Sequence, residues 1–329
     1  MGRFLEQEKP RQASFKADSP YFSEIARADG VYKSKLRPFC VPLDHAEENL
    51  FPEIRQTALA FFASQRIKWH DGQNGKPNNH LCDSQVCCVN FLFPFADKPS
   101  ALAELLRPVY PDLRRMLPIE SGQYVTFEWI GQENYLGEKI SRNGIRTRGA
   151  NCTSADAAVL FERTDGGRQI VPIEWKYTES YYGTPLKIAK SGTDRTAIYR
   201  PLYMRDDCPI NKTLLPAFDA LFYEPFYQFM RQQLLAHEME RARELCADIA
   251  SVLHIAPEHN TDFDRITSPA LKKLDTKTAV CAWKKLAPPD RFMIVSTEKL
   301  FGNPALDQLP ELTSWLKYVH CRYRWVQGE

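Results

Sequence analysis

The sequence predicts an α/β chain in which a mixed β-sheet is flanked by helices. Three stretches point there. Residues 151–180, NCTSADAAVLFERTDGGRQIVPIEWKYTES, read as two apolar strands joined by a tight turn. Gln123 to Ile130, QYVTFEWI, alternates like a half-buried strand, and Glu224 to Ser251 repeats its apolar residues at helical spacing. With 329 residues and 43% apolar content, the chain can bury a sizeable core.

Residues 1–44 are expected to be an arm that packs onto the body, and residues 45–329 one domain with helical additions towards its C-terminal end. Asp44 is placed to cap a helix running through Pro52 to about Ile67, with Ile54, Ala58, Phe61 and Phe62 near helical spacing. His70 to Asn79 has loop composition. Asp83 or Ser84 then starts a helix that Pro94 ends, and Pro99 to Val109 forms a short successor. His80, Cys82, Cys87 and Cys88 invite a zinc reading, but no CxxC is matched by a second pair, so buried thiols fit better.

After the strand Gln123 to Ile130 comes Tyr135-Leu136-Gly137-Glu138, then a loop, Ser141 to Gly149, holding Arg142, Arg146 and Arg148, which is suited to clamping a phosphate. In the hairpin, Ala155 to Arg163 and Gln169 to Tyr177 are the strands, and Thr164-Asp165-Gly166-Gly167 supplies the positive φ of the turn. Beyond it, Lys187, Lys190, Arg195, Arg200 and Arg205 interleave with Tyr181, Tyr182, Tyr199 and Tyr203, a mixture fit for backbone contacts and base stacking. Glu224 to Ser251 should pack on the sheet. Arg291 to Ser296 reads as a short buried strand and Leu309 to Val319 as a closing helix, followed by a basic, aromatic tail that anchors the terminus through ring burial.

The formal charge of +2 is nearly balanced, so a nucleic-acid surface would have to come from local clustering of Lys and Arg. Nine scattered cysteines fit free thiols in a reducing compartment, which points to the cytoplasm. No apolar run suggests secretion or a membrane span, and no P-loop or dinucleotide fingerprint occurs.

The chemistry lies in the hairpin. Centring the turn on Asp165 or Gly166 puts Asp156 opposite Glu174 or one residue from it. Alternation places Glu174 and Lys176 on one face and Trp175 on the other. Two carboxylates roughly 5 Å apart at Cβ repel unless a proton or cation lies between them, and a hard cation such as Mg²⁺, with Mn²⁺ as an alternative, suits that role. A metal-held water can attack a phosphodiester, and Lys176 can position that water or offset phosphorane charge. Glu128 or Glu138 can add a carboxylate, with Glu138 preferred because Gly137 beside it permits close approach. A glycosidase would use a similar acidic pair but has no need of the lysine and arginines. The bland alternative is a same-face ion pair on a solvated strand, which the apolar neighbours VPIEW and ADAAVLF argue against.

Asp156 followed across a hairpin by Glu174-Trp175-Lys176 resembles the motif of the PD-(D/E)XK nuclease superfamily, with Ala155 where the motif has proline. The segments YLGE, RGANCTSADA, IEWKYTES and FYQFMRQQLLA resemble a family of bacterial proteins classed as restriction endonucleases, over roughly residues 45 to 300. The resemblance implies a restriction-endonuclease-like fold and a metal-dependent endodeoxyribonuclease acting on double-stranded DNA; a homodimer is compatible with this reading, and the sequence leaves the oligomeric state open. It also implies a supporting role for Gln85 or Asn90 on the preceding helix, and for Gln232 on the helix after the hairpin. A repair or junction-resolving nuclease, or a DNA-binding protein with an idle nuclease fold, fits the same residues.

Overall fold

A computed structural model describes residues 2–138 and 144–328. The chain opens with helix α1 (Arg3–Asp18) and a small hairpin of β1 (Gly30–Tyr32) and β2 (Lys35–Arg37), followed by helices α2 (Arg55–Ser64), α3 (Ser84–Leu92) and α4 (Pro99–Leu106). Strands β3 (Leu113–Leu117), β4 (Val125–Trp129), β5 (Ala155–Arg163) and β6 (Arg168–Trp175) come next. Helices α5 (Thr196–Met204) and α6 (Phe226–Arg241) lead to β7 (Ile249–Ala250), β8 (Val252–Ala256), α7 (Ala279–Leu286), β9 (Phe292–Ser296), α8 (Thr297–Phe301) and α9 (Thr313–Arg322). Side-chain caps fix several starts: Asp83 accepts from the Val86 amide at α3, Thr278 from Cys281 at α7 and Ser296 from Lys299 at α8.

Among the described residues the main sheet has seven strands in the order β3-β5-β6-β8-β9, with β4 also on β5 and β7 also on β6. It is mixed: β5 pairs antiparallel with β3, β4 and β6, whereas β8 runs parallel to both β6 and β9. Odd-numbered β5 residues Ala157, Val159 and Phe161 lie in one core, under α3, α4 and α9, and even-numbered Ala158 and Leu160 lie in the other, under α6 and α7. Helices therefore cover both faces of a twisted mixed sheet, the restriction-endonuclease-like arrangement expected of the sequence. At the turn between β5 and β6, Gly166 has φ +87°, and the Arg163 amide donates to Gly167 O at 2.8 Å.

Four elements depart from expectation. Residues 1–44 contain the 16-residue helix α1, whose inner face carries Glu8 and Gln12 beside Phe4 and Phe15. Those polar groups are buried because they are bonded: Glu8 Oε2 accepts from Tyr177 Oη at 2.6 Å, and Gln12 Oε1 accepts from Arg322 Nε at 3.0 Å. Apolar periodicity is blind to such a face. Asp44 caps nothing; it lies in a 3₁₀ stretch, Leu43–Asn49, and α2 starts without a side-chain cap. The helix expected to reach Ser251 stops at Arg241, where left-handed Arg243 and Leu245 turn the chain into β7 and β8. Strand β3, whose buried positions are only Leu113 and Met116, was too weakly patterned to predict. The tail behaves as expected, with Tyr323 and Trp325 buried against Phe91 and Tyr177.

Candidate active site

The hairpin register pairs Ala157 with Ile173, so Asp156 falls opposite Glu174. On the next strand Glu174 pairs with His254, and on the other side Phe127 and Trp129 of β4 pair with Ala157 and Ala155, bracketing Glu128 beside Asp156. Glu128, Asp156, Glu174 and His254 thus form a row across four neighbouring strands. Glu128 has φ +48°, a left-handed conformation that a non-glycine residue in a strand adopts only under constraint. It breaks the alternation of β4: Phe127 packs in one core and Trp129, two residues on, in the other.

Burial and charge define what the row can do. Glu174 and Lys176 are 1% and 2% exposed, and Lys176 Nζ lies 2.5 Å from Glu174 Oε1. Glu174 Oε2 is buried without a hydrogen-bond partner. Asp156 Oδ2 accepts from the Trp175 amide at 2.7 Å. Desolvation, with Glu174 and then Glu128 as like charges, holds the Asp156 carboxyl well above the usual range despite the Lys176 cation. Desolvation also raises Glu174, against the opposing pull of Lys176 and Arg231. Burial works against the Lys176 ammonium, but Glu174, with smaller help from Tyr181, Glu179 and Asp156, outweighs it and keeps the group protonated. His254 is fully buried with neither ring nitrogen bonded, and burial followed by the Lys176 charge pushes it down to about 3.

Helix α6 closes the site from above. Gln228 Oε1 accepts from Lys176 Nζ at 2.6 Å and from Tyr181 Oη at 3.1 Å. Arg231 Nη1 donates to Thr153 Oγ1 at 3.1 Å, its guanidinium lies 4.6 Å from the centre of the Tyr227 ring, and its buried Nε has no partner. Gln232 Nε2 donates to the Ser154 carbonyl at 2.6 Å, and Ser154 Oγ donates to Glu128 Oε2 at 2.6 Å. Gln85 on α3 donates to Glu128 Oε1 at 2.7 Å, and His70 Nε2 is 3.2 Å from the same oxygen. Gln85 and Gln232 therefore both bear on Glu128.

The other expected residues are placed differently. Glu138 accepts from the Thr153 amide and hydroxyl at 2.6 and 2.5 Å and from Tyr199 Oη at 2.7 Å, so it holds a loop. Glu128, the residue passed over in its favour, is the carboxylate whose charge reaches Asp156. Arg146 and Arg148, expected to hold phosphate, spend most of their donors on protein acceptors. Arg146 donates to the carbonyls of Ile130, Gly131, Gln132 and Glu133 at 2.6 to 2.9 Å. Arg148 is buried, pairs with Glu120 at 2.8 Å, and donates to Thr126 Oγ1 and to the Phe127 and Glu128 carbonyls. Arg142 lies outside the described residues. Lys187 pairs with Asp219 at 2.7 Å, Lys190 is exposed, and Arg195 donates to Leu186 O at 2.9 Å with its guanidinium 5.5 Å from the Tyr227 ring centre. Asn90 is committed to the Phe51 amide, Asn49 O and Tyr323 Oη, away from the row. Gln228 was not singled out in the sequence; its spacing of four from Gln232, which puts both on one helix face, was the available signal.

A hard cation fits what is present: two carboxylates side by side, one buried oxygen without a partner, and an acid whose charged form is disfavoured until a cation joins it. Among the described residues no three His, Cys, Asp or Glu side chains gather as a ready metal cage, so such an ion would keep waters in its shell. Cys82, Cys87 and Cys88 are buried free thiols, as expected, and Cys40 is a fourth. No helix is long and apolar enough to cross a membrane among the described residues.

No curated protein and no solved structure matches the chain. The model of a family described as Restriction Endonuclease associating with ARP matches residues 11–324, nearly the whole length. The hairpin motif, the mixed sheet beneath it and this match agree, and the chain belongs to that restriction endonuclease family.

Proposed function

We propose that this nuclease-like protein is a metal-dependent endodeoxyribonuclease that hydrolyses phosphodiester bonds of double-stranded DNA. The observation that carries the reading is the row of Glu128, Asp156 and Glu174 on adjacent strands with the Lys176 ammonium fixed 2.5 Å from Glu174. Asp156 and Glu174 would hold Mg²⁺ or Mn²⁺, which when bound supplies an activated water and offsets phosphate charge.

The chain's own residues do the rest. Gln228 holds Lys176 at 2.6 Å, so its protonated amine is a donor aimed where charge grows on the phosphoryl oxygens. Its raised affinity for a proton suits it to donate and excludes it as a general base near neutral pH. Arg231, whose buried Nε has no partner, takes the phosphate-holding role expected of Arg146 and Arg148. Gln85 and Ser154 fix both oxygens of Glu128 and so aim it beside Asp156.

Purified protein incubated with plasmid and linear duplex should cut in Mg²⁺ or Mn²⁺ and stop in chelator, while Asp156→Ala should be silent. Retained Mg²⁺-dependent cleavage by Asp156→Ala would remove the assignment. One observation favours a second reading, an idle nuclease fold that binds DNA: Lys176 already neutralises Glu174. Calorimetry separates the two, since an idle fold would take up neither Mg²⁺ nor Mn²⁺.

A further inference from the structure

We propose that the β1–β2 hairpin is a second duplex-binding element, a basic ribbon that contacts DNA phosphates next to the candidate active site. The inference rests on the nuclease reading above.

The ribbon is a two-stranded sheet of its own, with Val31 paired to Leu36 and Tyr32 to Lys35, and its turn residues Lys33 and Ser34 have φ of +48° and +62°. Alternation sorts its side chains. Tyr32, Lys35 and Arg37 share one face, and Val31 and Leu36 share the other. Lys33 stands at the tip, its ammonium 5.0 Å from the Tyr32 ring centre. From Gly30 to Leu43 the chain carries three cations and no carboxylate. Among the described residues none of Lys33, Lys35 or Arg37 forms an ion pair. The flanking acids are engaged, Asp29 lying 3.9 Å from the Lys16 ammonium and Asp71 accepting from Tyr32 Oη at 3.2 Å.

Isolated two-stranded ribbons are only marginally stable, so this one needs a support. It has one on the side of the site. The Gly30 amide donates to Cys40 O at 3.1 Å, and a Cβ at Gly30 would meet Val41 O at 2.0 Å, so the base lies flush on that segment. The Tyr32 ring meets His80 at 5.0 Å. Asp71, bonded to Tyr32, follows His70, whose Nε2 is 3.2 Å from Glu128. The turn end of the ribbon and the upstream carboxylate thus touch neighbouring residues of one short loop. A two-stranded ribbon matches the width of a DNA major groove, and unpaired cations on a carboxylate-free strand complement phosphate rather than a mixed-charge protein surface.

The test uses the full chain and a labelled DNA duplex in chelator, so that binding is read without cleavage. The K33A/K35A/R37A variant should bind at least tenfold more weakly, and its slope of log Kobs against log salt should be shallower by about two to three. Its thermal unfolding should stay close to the wild type, since Lys33 and Lys35 are exposed and Arg37, half-buried with its guanidinium 6.0 Å from the Phe39 ring centre, forms no ion pair among the described residues. The variant K272A/K273A/K277A, with the same loss of charge at exposed positions elsewhere, should keep the wild-type slope. Unchanged affinity and slope in the ribbon variant, or an equal loss in both variants, would overturn the inference while leaving cleavage by wild type untouched. Wild type that neither binds nor cuts duplex DNA would overturn the inference together with the nuclease reading.

Discussion

Asp156 and Lys176 sit on the same face yet affect the fold with opposite signs. Lys176 offsets the buried charge of Glu174, so Lys176→Ala should lose cleavage and also about 3–5 kcal/mol of stability, because it strands a carboxylate in the core. Asp156 is the crowded acid, so Asp156→Asn should lose cleavage while raising the urea midpoint, its amide oxygen still accepting from Trp175. Equal destabilisation by the two would mean that Asp156 is not strained by its neighbours. The two upstream carboxylates separate in the same way. Glu128→Gln should slow cleavage roughly 10²-fold or more, as loss of a well-aimed charged group does. Glu138→Gln should leave the rate within a few-fold, since that side chain serves Thr153 and Tyr199. Rates of the two purified variants at saturating Mg²⁺ decide it.

At the scale of elements, the hairpin does the positioning. Its turn requires a left-handed residue, and Gly166 meets that with φ +87° and nothing within 4 Å of a notional Cβ. The space is open but the backbone is not one that alanine favours, so Gly166→Ala should cost about 1 kcal/mol in urea unfolding. Because the register is also held by Asp156 and by the apolar pairs on both faces, cleavage per folded molecule should be unchanged. A loss of activity without loss of stability would show that the turn itself contributes to the site. Helix α6 illustrates the limit of periodicity. Its apolar face was legible, but its end was not, because Arg243 and Leu245 adopt left-handed conformations that no propensity rule assigns to them.

Across the whole molecule, the ends of the chain close on each other. Arg322 of α9 is buried and bonds Gln12 of α1, Asn49, Leu81 and Tyr318, while Phe4 lies 6.2 Å from both Tyr177 and Trp325. A buried neutral imidazole supports the same region. His80 accepts the Cys82 amide on Nδ1, and burial, with Lys9, Lys33 and Arg37 nearby, lowers it to about 4. The folded form resists a proton that the unfolded chain accepts near 6.5, so this stability is complete above that pH and is lost as pH falls towards 4. The loss should approach about 3 kcal/mol by urea titration at pH 4, and His80→Asn should flatten that acid limb. A wild-type limb that stays level between those pH values would rule the effect out.

The sequence alone determined what local rules reach: the hairpin and its turn, the facing of Asp156 and Glu174, the shared face of Lys176, and the start of α3 at its Asp83 cap. These follow from a period of two and from φ preferences of single residues. Only the tertiary structure decided that Glu128 rather than Glu138 stands beside Asp156, that Arg146 is turned to backbone carbonyls and Arg148 to Glu120, Thr126 and two carbonyls while Arg231 lies close enough for its charge to act on Glu174, and that α1 buries Glu8 and Gln12. Each of those depends on which partners, often far along the chain, fill a side chain's hydrogen bonds, and no local pattern encodes that.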